Sequence, residues 1–83
     1  MAIDYSKLKH LTVRKLITAL ERDGFQEWRR KGATRFYAHP DGRTVTLHVH
    51  KPGQTLRIGT LKSILEKQAR WTEEDLIRLK LLK

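Results

Sequence analysis

The sequence predicts an α+β fold of two layers, with helices packed on one face of a three-stranded antiparallel sheet. Three observations predict it. Apolar residues recur with a helical period between Val13 and Leu20. Apolar and polar residues alternate with a period of two between Thr44 and His50. Between these stretches stands Pro40-Asp41-Gly42-Arg43, a sequence suited to a tight hairpin turn.

Each element follows from local chemistry. Residues 1–10 carry weak signals and are expected to form a lead-in. Thr12 is placed to cap the first helix, and Val13, Leu16, Ile17 and Leu20 form its apolar face. Asp23-Gly24 ends it, with Gly24 suited to the left-handed position after the last turn. The segment Phe25–Lys31 predicts a half-buried strand, from its aromatic residues and alternating polar ones. Gly32-Ala33 connects it to a second strand over Thr34–His39. In the third strand, Thr44–His50, Val45, Leu47 and Val49 point one way, and Thr44, Thr46, His48 and His50 the other. One face of the sheet is therefore covered and the other polar and open.

Lys51-Pro52-Gly53 breaks the pattern. A second helix begins near Gly59-Thr60, with Leu61, Ile64 and Leu65 as its apolar face. Thr72-x-x-Asp75 fits a capping box and starts a short third helix carrying Leu76, Ile77, Leu79, Leu81 and Leu82. The predicted order is α-β-β-β-α with an added C-terminal helix. Residues 1–83 are expected to form a single domain, with a core over about 12–69 and a helical extension over 70–83.

Composition narrows the classes of function. Lys and Arg number 18 against 9 Asp and Glu, a formal net charge of +9. Such an excess on so small a surface favours a polyanionic partner, nucleic acid before an acidic protein or an anionic membrane. There is no cysteine, which excludes disulfides, cysteine-ligated zinc and thiol catalysis. No apolar run approaches the roughly 20 residues of a membrane span, and the N-terminus lacks the apolar segment of a signal peptide. A cytoplasmic protein without a membrane role or a small-molecule cofactor is expected.

The stretch Lys31–His50 holds three of the four histidines. His48 and His50 share a strand face, and His39 ends the neighbouring strand. No nearby carboxylate completes a ligand set around His48 and His50, so no metal site is predicted. Two readings of these histidines stay open: surface or edge groups, or a general acid or base for RNA cleavage. Arg29, Arg30, Lys31, Arg35 and Arg43 surround the two turns and suit phosphate contacts. Lys31, Arg35 and Arg43 lead that set, with Arg30 and Gly32 beside them. Trp28, Phe36 and Tyr37 are either stacking surfaces for unpaired bases or core; at least two of the three are expected in the core.

The runs LITALERDGF, KGATRFYAHPDGRTVTLHVH and IGTLKSILEKQA resemble, in order and spacing, the HicA family of bacterial toxins. The likeness covers roughly residues 12–69, and the tail ARWTEEDLIRLKLL resembles an extension of some members. The resemblance implies a double-stranded-RNA-binding-like fold, metal-independent endoribonuclease activity on mRNA, and a HicB-like antitoxin partner. It also favours Tyr37 facing inward, with Thr34 and Phe36 on the open face.

One position departs from the family pattern. Family members read Lys-Gly-Ser-His or close to it, with that histidine catalytic, whereas this chain reads Lys31-Gly32-Ala33-Thr34. A threonine hydroxyl hydrogen-bonds a phosphate but shuttles no proton near neutral pH. Three readings follow: His39 or His48 substitutes; catalysis is lost while RNA or antitoxin binding is kept; or Thr34 was introduced into an otherwise active toxin.

Overall fold

A computed structural model describes residues 5–51 and 53–82. Residues 1–4 of the expected lead-in and Pro52 of the expected loop lie outside that set. The elements are a 3₁₀ turn at Tyr5–Leu8, helix α1 (Val13–Asp23), strands β1 (Gln26–Lys31), β2 (Thr34–Ala38) and β3 (Thr44–His48), helix α2 (Ile58–Ser63) and helix α3 (Glu73–Arg78). A π-helical turn over Ile64–Gln68 prolongs α2. The strands form one antiparallel sheet in the order β1-β2-β3. This is the α+β, double-stranded-RNA-binding-like order that the sequence predicts.

Helix α1 begins where expected: the Thr12 hydroxyl accepts from the Lys15 N–H at 3.2 Å. It ends at Gly24, whose φ of +107° lets its N–H turn back to Glu21 O. The Thr72 hydroxyl and the Asp75 carboxylate cap α3 reciprocally, so the predicted capping box is present. Helix α3 is shorter than its apolar content suggested. It stops at Arg78; within it Ile77 is exposed, while Leu76 and, just past its end, Leu79 are buried.

A single cluster of buried side chains joins the sheet to the helices. Tyr37, Val45 and Leu47 meet Leu16, Leu20, Leu61 and Leu65 there. Leu8, Trp71, Leu76 and Leu79 belong to the same cluster. The N-terminal segment is therefore more than a lead-in, and the C-terminal helix shares the core instead of resting on its outside.

The outer edge of β3 is closed by side-chain amides. Gln68 accepts from Thr46 N–H at 2.8 Å. Gln54 accepts from His50 N–H at 2.7 Å and donates to His48 O at 3.1 Å. An edge strand satisfied in this way does not recruit a further strand there.

Strand β1 departs from expectation. All six of its residues are exposed, and none is half-buried. The register jumps between Glu27, which pairs with Tyr37, and Arg29, which pairs with Phe36. Trp28 is the extra residue of a β-bulge. The bulge reverses the facing expected from simple alternation and directs Trp28 toward Phe36, at 5.8 Å between ring centroids.

Candidate nucleic-acid interface

The open face of the sheet is built by register. Lys31 pairs with Thr34, which pairs with His48; Arg29 pairs with Phe36, which pairs with Thr46. Directly paired residues share a face, so these six side chains stand together. Tyr37 is buried on the opposite face. Thr34 and Phe36 are thus outward and Tyr37 inward, as the sequence likeness favoured.

Thr34 and His48 meet because of the ladder geometry. Val49 N–H donates to Ala33 O and His39 N–H to Arg43 O. Hydrogen-bonded pairs therefore alternate with the Thr34–His48 and Phe36–Thr46 pairs, which belong to the closer, non-hydrogen-bonded kind. The Thr34 hydroxyl oxygen lies 3.1 Å from His48 Nδ1. A hydroxyl both donates and accepts, so it satisfies Nδ1 in either tautomer and leaves Nε2 for a ligand. Gly32 turns the hairpin beside this pair with φ of +59°, which a glycine takes without strain.

No strand residue on the open face is acidic. Glu27, the one acid in the three strands, faces the other way and binds Arg30 through two contacts of 2.9 Å. The bulge makes that pairing possible, because it brings residues three apart in β1 onto one face. Lys31 and Arg29 make no ion pair among the described residues. The Arg29 guanidinium instead lies over the Phe36 ring, 5.9 Å from its centroid.

The predicted phosphate contacts do not all assemble. Lys31 and Gly32 adjoin Thr34. Arg30 and Arg35 pair with each other across β1 and β2 and stand on the helix-facing side. Arg35 lines a groove there with Arg14, Glu21 and Lys51. Arg43 lies elsewhere and is fully engaged. It donates to Asp41 at 2.7 Å, to Asp23 at 3.1 Å and to Ala69 O at 2.6 Å, with its side chain only 15% exposed.

His39 and His48 also separate. His39 Nε2 lies 2.7 Å from Asp23 O, and Nδ1 accepts from Asp41 N–H at 3.1 Å. Its ring packs edge-on against Phe25 at 5.1 Å. Both nitrogens are thus occupied inside the protein. A side chain at Gly24 would place its Cβ 3.0 Å from His39 Nε2, so the glycine and the imidazole fit each other.

Asp23 is the centre of this second constellation. Its carboxylate accepts from Trp71 Nε1 at 2.8 Å, Arg43 at 3.1 Å and Arg78 at 2.7 Å. Burial pushes its pKa up, but the hydrogen bonds from Trp71 and Arg78 and the charges of Arg43 and Arg78 outweigh that and hold it below the usual carboxylate range. Among the described residues, no three His, Cys, Asp or Glu side chains gather so as to hold a metal ion. No helix of the described chain is long and apolar enough to cross a membrane.

Two groups of the open face, Arg29 and Trp28, were named from the sequence but stood outside its leading set of contact residues. Arg29 shares the parity of Lys31 along β1, which would have placed it in that set. The exposure of Trp28 depends on the bulge, for which the sequence carries no marker. Of the three aromatic residues near the turns, only Tyr37 is core, not the two expected; Trp28 is 61% exposed and Phe36 half-buried.

These features define a small basic α+β domain with an open, acid-free sheet face and a separate ion-pair centre that closes its core. The chain belongs to the HicA toxin family of bacterial toxin–antitoxin systems, whose model matches residues 13–71, from the first residue of α1 to Trp71. Membership implies a cognate antitoxin as its partner. No curated protein matches the chain.

Proposed function

We propose that the chain binds mRNA across the open sheet face and cleaves it as an endoribonuclease, with His48 supplying the imidazole that Thr34 does not. A HicB-like antitoxin would be its partner. The observation that carries this reading is the Thr34–His48 pair. The position where the family places a histidine is within hydrogen-bond distance of another exposed histidine, beside an unpaired lysine.

The chemistry needs no metal in this scheme. His48 Nε2 takes the proton of a ribose 2′-OH, whose oxygen attacks the adjacent phosphorus. The bond from phosphorus to the 5′-oxygen breaks, and that oxygen takes up a proton from water. The products are a 2′,3′-cyclic phosphate and a 5′-hydroxyl. Thr34 orients the imidazole through Nδ1. Lys31 offsets the charge that develops on the phosphoryl oxygens. Arg43 and His39 enter as residues that hold the fold, while Arg30 and Arg35 stand on the helix-facing side of the sheet, away from the same phosphate.

Cleavage of a mixed-sequence RNA by the full chain tests the proposal. His48→Ala should lower the rate about 10²- to 10⁴-fold, as removal of a positioned acid or base does. Unchanged cleavage in His48→Ala would refute the assignment. The second reading, an RNA-binding domain without catalysis, is favoured by one observation: His48 is the one histidine within the three strands, whereas this cleavage has two proton transfers. RNA binding by the unaltered chain with no cleavage of any RNA, and recovery of cleavage in Thr34→His, would select it.

A further inference from the structure

We propose that Trp28 and Phe36 form a stacking platform for an unpaired base, so that the open face takes single-stranded RNA and rejects the duplex. The inference rests on RNA binding at this face and specifies its substrate.

Three observations carry it. The first is exposure. Trp28 is 61% exposed, and it is the one large hydrophobic side chain of the sheet left in water among the described residues. The other two, Ile58 and Ile77, lie on helices. Phe36 packs against Trp28 with ring centroids 5.8 Å apart and 49° between the ring planes. The ring is thus held in place yet uncovered, as a stacking surface must be.

The second is the bulge. Its extra residue brings Trp28 to the side of Phe36, and Arg29 next to it also reaches the Phe36 ring. A planar base on Trp28 would have the Arg29 guanidinium nearby for its phosphate. The third is spacing. Phe36 lies two residues along β2 from Thr34, about 7 Å. That is within one nucleotide's reach, so a base on Trp28 would adjoin the phosphate presented to Thr34 and His48.

Charge and extent favour RNA over a protein at this spot. A stable protein interface buries about 800 Å² on each partner around a desolvated core, far more than these rings offer. Here one exposed indole and one half-buried phenyl ring stand among Arg29, Lys31 and other polar groups, with no acid on the strand face. An A-form duplex keeps its bases stacked inside and offers no ring to Trp28.

The chain's two tryptophans make the test clean, because Trp71 is only 3% exposed and Trp28 reports alone on added ligand. Fluorescence is titrated with a 2′-O-methyl oligoadenylate, which cannot be cleaved through its 2′-oxygens, and with a duplex of the same length. The expected result is strong quenching by the single strand and little by the duplex. Trp28→Ala should weaken binding of the single strand about 5- to 150-fold, as loss of one base–aromatic stack does. Its salt dependence should stay unchanged, and Trp28→Phe should restore most of the affinity. Lys31→Ala should instead reduce the salt slope by about 0.7.

Equal affinity of Trp28→Ala and the unaltered chain would overturn the platform. If Lys31→Ala still weakened binding, RNA at the open face would stand without it. Absence of RNA binding at low salt would overturn both. Unchanged RNA affinity of Trp28→Ala together with lost binding of the cognate antitoxin would make Trp28 a protein contact.

Discussion

Replacing Asp23 by alanine should destabilise the protein far more than loss of an ordinary surface ion pair. The Asp23 side chain is only 9% exposed, and it satisfies groups from three separate parts of the chain. Removing it leaves the Trp71 indole N–H without an acceptor beneath the surface, at a cost of about 1–3 kcal/mol. It also strips Arg43 of one carboxylate. Arg43 keeps Asp41 and the Ala69 carbonyl, so this loss falls well below the 3–5 kcal/mol of a fully orphaned buried charge and adds about 1 kcal/mol. Arg78 is half exposed, and water compensates it. The sum, about 2–4 kcal/mol, is a large share of the roughly 4–12 kcal/mol expected of a domain this size. Urea denaturation at neutral pH measures it. The same constellation sets an acid limit. Because the folded-state pKa of Asp23 is depressed, its contribution is complete above the usual carboxylate range and is lost as pH falls through that lowered value. In Asp23→Asn, stability should therefore fall less steeply over that acid interval than in the unaltered protein. A cost below about 1 kcal/mol for Asp23→Ala, with the fold intact, would refute the reasoning.

Two further outcomes separate structural from functional groups. His39→Ala should lower stability by about 1–3 kcal/mol, through its two hydrogen bonds and its ring contact, and leave RNA cleavage per folded molecule unchanged; denaturation and rate measurements on one preparation check both. Leu76→Ala should cost about 2–5 kcal/mol and keep a single unfolding transition, because Leu76 is fully buried in the shared core; a separate early transition would show α3 to be an independent appendage.

The parts of the fold legible in the sequence are those set by local chemistry. Thr12, Gly24 and the Thr72–Asp75 box mark helix ends by the groups they satisfy, and each is found where its residue type requires. Strand β3 was legible because one buried face forces alternation. Strand β1 was legible as a strand, but its burial was not, because an edge strand with no buried residue carries no pattern that fixes its facing. Side-chain facing there depends on one unpaired residue, and nothing in QEWRRK says which residue bulges. The histidines show the same limit. His39 and His48 lie in similar local sequence, each near the end of a strand. The proximity of Asp23 O and Asp41 turns one inward, and Thr34 opposite meets the other in the open. Only long-range pairing distinguishes them.

The distribution of charge links the two constellations. The net charge of +9 is not spread evenly. Asp23, Glu27, Asp41 and Asp75 are held by Arg30, Arg43 and Arg78, at the helix-facing side of the sheet and around the junction of α1, the hairpin and α3. Those pairs close the fold, and they draw four acids away from the open face. Lys31 and Arg29 therefore keep unneutralised charge beside the half-buried Thr34 and the exposed His48 and Trp28. Moving one of these carboxylates onto that face would bring a negative charge next to the phosphate site and take a partner from Arg30, Arg43 or Arg78. The same assignment of acids thus serves both stability and an open face suited to a polyanion, which is why neither can be altered there without the other.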